Sequence, residues 1–405
     1  MPELERVDVL VVGAGPAGSA TARLLAKAGR SVIAVDRAGF PRDKACSEYM
    51  SPEAVRILDR LGVVGALEAA GAVPLAGTMV TAAGGARLHG RFALAGRRPF
   101  RPTGLSVSRR ILDHQLVVSA RRAGATVLER NAVESLVSDA AGVTGATVRG
   151  ADGVRRTIAA RLTVGADGLR SVIGRRLGGW RQGGLRRVAF VAHVEGVEEM
   201  EDSAEMFVGR HGYLGLNPIG GGRTNVALVV PLRRAGAARG RTEAFFLEAL
   251  ADFPGVSRRV GRGRLVRRVL ATGPFAARSG RVTANGAALV GDAADFFDPF
   301  TGEGIYSALR GAELLAETAA AALDRPGRVS ADALARYRRA RQRAFRGKWA
   351  VERLIGYGMH FPDLFDRAVD RLARRGLAHT LVGVTGDFVP ARAVLNPIFL
   401  ARMLL

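Results

Sequence analysis

The stretch that decides the fold is VDVLVVGAGPAGSATARLLAKAGRSVIAVD, residues 7–36. It opens with an apolar run, Val7 to Val12, that has the length and composition of a strand buried on both faces. GAGPAG follows at 13–18, and apolar residues then recur at helical spacing until Gly29. A second strand pattern ends at Asp36. This order of strand, glycine turn, helix, strand and acid predicts a Rossmann-like α/β unit.

The glycine turn predicts a binding site for the phosphates of a dinucleotide. Gly13 permits a tight turn, and Gly15 lets a pyrophosphate approach the backbone at a helix N-terminus, where amides and the helix dipole favour anions. Gly18 lets the helix and the strand pack closely, and Asp36 is placed to accept hydrogen bonds from ribose hydroxyls. The glycine motif alone does not distinguish NAD from FAD.

Three further segments extend this pattern along the chain. A helix pattern that begins after Ser108 opens with Arg109. The strand pattern LTVGADG, residues 162–168, runs into an Asp-Gly turn. The strand pattern AALVGD, residues 287–292, ends in Gly-Asp and is followed by PFTGEGI, residues 299–305, at the start of a helix pattern.

Together, these motifs resemble the FAD-dependent oxidoreductases that include the aromatic hydroxylases (group A flavoprotein monooxygenases) and the geranylgeranyl reductases. In that family the order is GxGxxG, an Arg that opens a helix, a DG motif and then a GD motif, and all four occur here in that order. The resemblance implies an α/β fold, with a Rossmann-like FAD-binding domain of the GR2 type, an antiparallel β-sheet substrate domain and C-terminal helices.

The resemblance also implies where FAD is held. Arg109 and Asp167 are expected near the pyrophosphate and the flavin, Val133 beside the adenine through its backbone, and Asp292 on the ribityl hydroxyls. The expected FAD-binding residues are Gly13, Gly15, Pro16, Ala17, Gly18, Asp36, Arg37, Lys44, Cys46, Arg109, Val133, Asp167, Gly168, Gly291, Asp292, Pro299, Gly302, Gly304 and Ile305. No metal site is expected.

The segment TGEGI, residues 301–305, has a physical reason to face a flavin. Free amides at a helix start stabilise the negative charge that grows on the N1–C2=O edge of the ring upon reduction. Gly302 and Gly304 are needed because a side chain would hold the planar ring away, and Pro299 fixes the entry angle. Glu303 is interpreted as an ordinary first-turn acid favoured by the helix dipole.

Two segments favour the geranylgeranyl reductase branch. FPRDKACSEYMSP, residues 40–52, resembles the run that lies by the flavin in that branch, and PFTGEGI is also closer to it. Asp295 stands where the aromatic hydroxylases usually have a His after GDAA. Two departures are present: Ser47-Glu48 replaces the usual Gly-Gly of the branch, and the run from Tyr213 to Pro218 lacks its Trp and Phe.

The candidate catalytic residues are Cys46, Tyr49 and Tyr213. Lys44 and Arg42 would favour a thiolate at Cys46, but a small buried apolar Cys is an open alternative. The two tyrosines are either hydrogen-bond donors that face the substrate or core residues. For the two histidines considered as bases, a structural role is favoured; they are His193 and His211.

The motifs divide the chain into three parts. Residues 1–75, 100–180 and 270–325 are assigned to a discontinuous FAD-binding domain. Residues 76–99 and 181–269, rich in strand patterns, are assigned to the substrate domain, and 326–405 to a C-terminal helical region. The last apolar segment, 381–405, is interpreted as packing over the pocket, with shallow membrane contact as the alternative.

Composition indicates a globular protein and limits its partners. The chain has 405 residues, is 48% hydrophobic and carries a formal net charge of +23. Only three of its 60 basic residues are lysines, and the arginines are spread along the chain, so nucleic-acid binding is not expected. The lone Cys46 excludes an intrachain disulfide, and no signal peptide or membrane span is recognised. We therefore expect a cytoplasmic protein, with a peripheral position at a membrane as the alternative, and its oligomeric state stays open.

Three functions are compatible with the sequence, and the first of them is favoured over the other two. The first is an NAD(P)H-dependent monooxygenase that acts on a bulky apolar small molecule, in which flavin chemistry needs a dry pocket more than an acid or a base. The second is a flavoenzyme that reduces C=C bonds of an isoprenoid chain. The third is a flavin-binding protein without turnover. No second GxGxxG follows a strand pattern, so a nicotinamide donor would dock transiently, as in the aromatic hydroxylases.

Overall fold

The computed structural model describes residues 5–261 and 263–404. The strands are, in chain order, β1 (Glu5–Val12), β2 (Val32–Asp36), β3 (Tyr49–Met50), β4 (Val73–Leu75), β5 (Gly77–Thr81), β6 (Arg87–Arg91), β7 (Gly104–Ser106), β8 (Thr126–Glu129), β9 (Ala132–Asp139), β10 (Gly142–Arg149), β11 (Arg155–Gly165), β12 (Trp180–Gln182), β13 (Arg187–Glu195), β14 (Ser203–Gly209), β15 (Gly212–Pro218), β16 (Arg223–Pro231), β17 (Arg264–Leu265), β18 (Leu270–Thr272), β19 (Ala277–Ser279), β20 (Thr283–Ala284), β21 (Ala287–Leu289) and β22 (Asp295–Phe296).

The helices are, in chain order, α1 (Pro16–Lys27), α2 (Pro52–Arg60), α3 (Val64–Ala69), α4 (Arg109–Arg122), α5 (Val172–Arg176), α6 (Leu232–Ala235), α7 (Thr242–Ala249), α8 (Pro254–Val260), α9 (Gly304–Leu323), α10 (Ala335–Gly358), α11 (Pro362–Arg374), α12 (Ala378–Thr385) and α13 (Pro397–Leu404).

The first sheet is a Rossmann-like sheet of eight strands with a parallel centre in the order β21-β11-β1-β2-β8. Its central strand β1 is buried on both faces, as its apolar run predicts. Val9 and Val11 pack into the core that contains α1, α4 and α9, whereas Leu10 and Val12 pack into the core beneath β9 and β10.

The carboxyl ends of the parallel strands align at one edge of this sheet. Val12 pairs in register with Val35 and with Gly165, and Gly165 pairs with Leu289. The glycine turn, the Asp-Gly turn and the Gly-Asp turn each follow one of these strands, so the register brings them together. Ligands of open α/β sheets bind at this edge.

The second sheet also has eight strands, and its main order is β17-β13-β16-β15-β14-β5-β6. It is antiparallel except for the β14–β5 pair. One face packs against α7 and α8, and the other faces the first sheet and the C-terminal helices. Strand β18 pairs with β13 in this sheet. The domain division expected from the sequence had assigned residues 270–325, and so β18, to the FAD-binding domain.

The C-terminal helices tie the two parts together. Helix α10 contributes Phe345 to the core of the first sheet and Val351 to the core of the second. The Tyr337 hydroxyl donates to the backbone oxygen of Leu289 at 2.7 Å, which anchors α10 to β21. Among the described residues, the helices are either too short or too polar to cross a bilayer. The predicted α/β class, with a Rossmann-like sheet, an antiparallel sheet and C-terminal helices, is confirmed.

Candidate functional site

A cavity of 540 Å³ lies between the two sheets, at the carboxyl edge of the first. Seventeen of the nineteen residues expected to bind the cofactor line it, and they come from all four motifs. The other two, Gly18 and Gly291, do not line the cavity but pack next to residues that do. A Cβ on Gly18 would lie 1.7 Å from the Gly13 oxygen, and one on Gly291 would lie 3.0 Å from the Ala17 Cβ. These two glycines therefore allow close packing rather than ligand contact.

The glycine turn is shaped for a ligand that approaches the backbone. Gly13 has a φ of +96°, and a Cβ there would stand 2.5 Å from the Ala166 oxygen. Helix α1 begins after Gly15, and no side chain caps the start of this helix. Gly15, Pro16 and Ala17 line the cavity, so the uncapped start of α1 is available to an anion there. The Asp36 carboxylate accepts from the amides of Ala14 and Ala38, both at 2.8 Å. Asp36 thus holds the turn in place as well as lining the cavity.

Two guanidinium groups lie over this turn. A Cβ built on Gly15 would be 3.4 Å from Nη2 of Arg42 and 3.8 Å from Nη2 of Arg109. Arg109 donates to both oxygens of Asp113, at 2.7 and 2.9 Å, and Arg42 approaches the same carboxylate at 3.1 Å. Bare backbone between two fixed cations is a cradle for a pyrophosphate. Asp113, fully buried and not identified from the sequence, is recognisable as the (i, i+4) partner of Arg109.

The two acidic motif residues have different environments. Burial raises the pKa of Asp292 to about 6, against the attraction of Lys44 and Arg109. Asp167 accepts from the Ser171 hydroxyl at 2.5 Å and from the Val172 amide at 2.6 Å, so its carboxylate caps α5. Burial raises the pKa of Asp167, and these hydrogen bonds oppose that rise.

The segment around Cys46 is clamped into a turn. Cys46 lines the cavity, and its Sγ accepts from the Glu48 amide at 3.3 Å. Glu48 is buried with a left-handed φ of +62°, and its carboxylate binds the Arg109 amide and Nε2 of His193, both at 2.8 Å. Asn225 donates to the backbone oxygens of Cys46 and Ser47. His193 therefore has a structural partner, and the departure from Gly-Gly at 47–48 supplies it.

The two candidate tyrosines have different surroundings. The Tyr213 hydroxyl donates to Asp298 at 2.6 Å, and Arg187 pairs with the same carboxylate at 2.7 Å. The sequence left Tyr213 as either a donor that faces the substrate or a core residue; in the structure it lines the cavity, and its hydroxyl is bonded to Asp298, a partner that the sequence did not reveal. The ring of Tyr49 packs against Gly302 and lines the cavity, and burial raises the pKa of Tyr49 well above its usual value.

The wall opposite the first sheet is mainly apolar. Alternate residues of four adjacent strands face the cavity, as a period of two requires. They are Ala189 and Val191 of β13, Ala204 and Met206 of β14, Tyr213, Gly215 and the polar Asn217 of β15, and Ala227 and Val229 of β16. Phe275, Phe296 and Phe300 extend the wall. Within the described part of these strands, the cavity-facing set contains no carboxylate, ammonium or guanidinium group.

The start of α9 forms the remaining wall through Gly302, Gly304 and Ile305. Gly302 has a φ of +72°, a conformation that glycine adopts without strain. Glu303 is only 3% exposed, and its Oε2 accepts from the Ser51 hydroxyl at 3.0 Å. Burial raises the pKa of Glu303 to about 8. The interpretation of Glu303 as an ordinary first-turn acid is therefore wrong, because a distant serine and burial determine its state.

Two residues singled out from the sequence, Val133 and Asp295, have surroundings that depend on elements outside the four motifs, namely β9 and α10. Val133 lies in β9 and lines the cavity next to Asn131. Asp295 is held by Arg341 of α10 and accepts from Nε1 of Trp349 at 3.2 Å. Among the described residues, no group of three or more His, Cys, Asp or Glu side chains is arranged to hold a metal ion.

Residues 6–351 match the protein family described as "FAD binding domain". The chain belongs to this family. Menaquinone reductase of Mycolicibacterium smegmatis is 32% identical over 333 residues, which are 77% of this chain and 76% of that protein. Digeranylgeranylglycerophospholipid reductase 1 of Methanococcoides burtonii is 29% identical over 385 residues, 91% of this chain and 87% of that protein.

The fold comparison agrees with this membership. A geranylgeranyl bacteriochlorophyll reductase-like protein of Thermoplasma acidophilum superposes with a TM-score of 0.81 at 21% identity, covering 99% of both chains. The FAD-binding domain is of the GR2 type, and the protein is an FAD-dependent oxidoreductase. The bare glycine turn beneath Arg42 and Arg109 and the apolar groove beside Gly302 fit the phosphates and the ring of FAD.

Proposed function

We propose that this FAD-dependent oxidoreductase saturates a C=C bond in the isoprenoid chain of a lipid or quinone. The observation that carries the proposal is the cavity wall of the second sheet, which presents mainly Ala, Val, Gly and Met residues towards the cofactor groove, together with Tyr213 and Asn217. An isoprenoid chain has no charge and no hydrogen-bonding group, so its binding depends on burial of apolar surface. The two reductases named above also act, by their names, on a menaquinone and on a geranylgeranyl lipid.

The residues divide into those that would hold the cofactor and those that would hold the substrate. Arg42 and Arg109 would bind the pyrophosphate over the glycine turn, Asp292 the ribityl hydroxyls, and the amides of 302–305 the edge of the ring. FAD, when bound and reduced, supplies a hydride. The apolar wall would orient the alkene and exclude water from the space between the sheets.

Saturation also requires one proton for the second carbon of the alkene. Of the three candidate catalytic residues, Tyr213 already uses its hydroxyl in a hydrogen bond to Asp298. Burial raises the pKa of Tyr49, which makes it a weaker acid than an ordinary tyrosine. Cys46 lines the cavity and is a free cysteine. We therefore assign the proton transfer to Cys46, because general acid catalysis needs a titratable group within reach of the reacting atom.

Product analysis tests the reaction class. The holoprotein is incubated with a polyprenyl lipid or menaquinone and with NADH, NADPH or dithionite, in parallel without and with oxygen. A product that gains two hydrogen atoms without oxygen supports the proposal, and Cys46→Ala is expected to lower its formation at least tenfold while the flavin spectrum is kept. A product that gains one oxygen atom, formed only aerobically, would refute it.

Monooxygenation of a bulky apolar molecule is the second candidate. It is favoured by the same wall, because oxygen insertion by a reduced flavin requires a dry pocket and no acid or base from the protein. It differs in its dependence on oxygen, so the aerobic arm of the product analysis separates the two. If all donors and both gas phases leave the polyprenyl compounds unchanged, a flavin-binding role without turnover is supported instead.

We also propose that the protein binds peripherally to a membrane and takes its apolar substrate from the bilayer. Four large apolar side chains are exposed where α10 passes into α11: Leu354, Tyr357, Phe361 and Leu364. Phe361 is 63% exposed. The net charge of +23 favours approach to anionic lipid headgroups, and aromatic side chains are suited to the bilayer interface.

A further inference from the structure

A buried cluster of four charged side chains lies directly behind the cavity wall at the start of α9. Lys348 of α10 places its Nζ 3.0 Å from Asp387 and 3.4 Å from Glu352. Glu303 completes the cluster, and Thr301 approaches Glu352 at 3.5 Å. The side chains of Lys348, Glu352 and Asp387 are 5%, 11% and 12% exposed. Gly302 and Gly304, on either side of Glu303, line the cavity.

The cluster has three carboxyl groups for one ammonium. Lys348 is in contact with Asp387 and Glu352, so Glu303 is the carboxyl group without a cation at contact distance. Its Oε2 accepts a hydrogen bond from the Ser51 hydroxyl, and its buried Oε1 has no hydrogen-bond partner among the residues that the structure describes. An unpaired buried carboxylate is costly, and protonation removes that cost. The geometry therefore makes Glu303 a carboxyl group that holds a proton near neutral pH, in agreement with its pKa of about 8.

The groups that face the cluster come from several elements. Tyr49 of β3 and Ser51 lie on one side, and Glu53 of α2 adds a further negative charge. Tyr306 of α9 packs over Lys348, with Nζ 5.8 Å from the ring centroid. Burial raises the pKa of Tyr306, and the positive charge of Arg310 opposes that rise. Glu352 also shares this burial, which raises its pKa to about 7. Glu53 is paired with Arg56 at 2.7 Å, so Lys348 is left facing Glu303, Glu352 and Asp387, and these three acids favour the uptake of a proton.

We propose that Glu303 couples the redox state of the flavin to proton uptake: at alkaline pH, where Glu303 is ionised while the flavin is oxidised, reduction of a ring bound against 302–305 would cause Glu303 to bind one proton from solvent. The proposal rests on the assignment of FAD to this cavity. Two-electron reduction adds two electrons and one proton to the ring and leaves it with one negative charge. With the ring bound against 302–305, that charge would lie across the wall from Glu303 and would disfavour its carboxylate form, because like charges repel strongly in a buried setting. The extra proton goes to Glu303, and no bond to carbon forms or breaks.

The test is the midpoint potential of the holoprotein as a function of pH, titrated with dithionite and mediators. For a two-electron couple each bound proton contributes about 30 mV per pH unit, because a tenfold change corresponds to that step. Wild type is expected to follow one proton per two electrons below about pH 8 and two protons above it. Glu303→Gln is expected to keep one proton throughout. Equal slopes above pH 8 in both proteins would overturn the proposal.

The matched control is Glu313→Gln, which removes another buried carboxyl group from α9. Glu313 lies ten residues further along the helix and pairs with Arg310 and Arg56, away from the cavity. Its variant is expected to retain the change of slope.

A second measurement on the apoprotein separates the proton-holding state from the placement of FAD. Infrared spectroscopy at pH 7 is expected to show a protonated-carboxyl band that is absent in Glu303→Gln. If the band is present but the potentials of the two proteins do not differ in slope, the flavin does not lie against 302–305. If the band is absent, Glu303 is ionised at pH 7, which contradicts the proton-holding state assigned to it and the change of slope expected near pH 8.

Discussion

The ring of Tyr49 lies against the backbone of Gly302, so that a Cβ built on Gly302 would stand 2.7 Å from Cδ1 of the ring. This contact joins β3, in the segment that carries Cys46, to the start of α9. Both residues line the cavity. Two segments separated by about 250 residues of sequence therefore form one continuous surface beside the place assigned to the flavin ring, and its shape depends on the missing side chain.

Gly302→Ala tests this contact. The added methyl group must displace Tyr49, and the φ of +72° costs an alanine roughly 1 kcal/mol. We expect FAD affinity to fall at least tenfold, measured by fluorescence titration of the apoprotein. Gly376→Ala is the control, because Gly376 has a φ of +65° and nothing lies within 4 Å of its added Cβ. Equal FAD affinity in both variants would show that the Tyr49 contact does not shape the site.

Asp292→Asn tests the burial of a carboxyl group in the cofactor groove. The pKa of Asp292 rises from its ordinary 3.8 to about 6 in the folded protein, so the native state binds this proton more tightly than the unfolded chain. Its contribution to the free energy of unfolding is therefore fully present below about pH 4 and is lost as the pH rises through 6.

The expected result is a difference in pH dependence. Between pH 4 and 6.5, the stability of the wild-type apoprotein should fall relative to that of Asp292→Asn, measured by urea unfolding. The variant should also bind FAD about tenfold more weakly, since a hydrogen bond to a charged acceptor is lost. Asp59→Asn, on an exposed position of α2, serves as the control. Parallel stability curves for wild type and Asp292→Asn would contradict the raised pKa.

Ala227→Phe tests the apolar wall as the substrate site. Ala227 faces the cavity on β16 directly opposite Gly215 of β15, and an added ring would enter the cavity beside Met206, whose Sδ lies 3.1 Å from the Cβ position of Gly215. We expect the flavin spectrum to be unchanged and kcat/KM for a long polyprenyl substrate to fall at least tenfold. Ala271→Phe, at an exposed position of β18 in the same sheet, should leave kcat/KM unchanged. An unaltered kcat/KM in the first variant would place the substrate elsewhere.

Phe361→Glu tests the membrane-facing corner between α10 and α11. Introducing a charge at a side chain that is 63% exposed is expected to reduce binding to vesicles that contain anionic phospholipid several-fold, in a sedimentation assay. Leu247→Glu is the control, because Leu247 is 48% exposed on α7, which packs on the opposite face of the second sheet. Equal vesicle binding by both variants would remove the corner from consideration.

The cofactor side of the cavity was largely predictable because its signals are local. A strand followed by Gly13, Gly15 and Gly18 specifies a turn over six residues, and the parallel register then brings the turns after β1, β11 and β21 to one edge. Asp167 and Asp292 were found for the same reason: each follows a strand end. These features need only the strand order, which the family resemblance supplied.

The roles of polar side chains with distant partners were not predictable. Glu303 was interpreted from its own helix start, whereas its state depends on Ser51, 252 positions away, and on burial beneath α10. Tyr213 was recognised as a polar residue near the substrate, but the direction of its hydroxyl depends on Asp298, 85 residues further along the chain. Spacing arguments do not reach such pairs, because packing between elements decides which groups meet.

The alternation along β13 and β16 has a consequence for how this scaffold diversifies. Ala189, Val191, Ala227 and Val229 border the ligand space, whereas their immediate neighbours Phe190 and Leu228 anchor the helices behind the sheet. Recognition and folding are thus encoded by interleaved odd and even positions of the same strands. Evolution can change what the enzyme accepts by exchanging one set while the other stays untouched, so new specificities arise here at little risk to the scaffold.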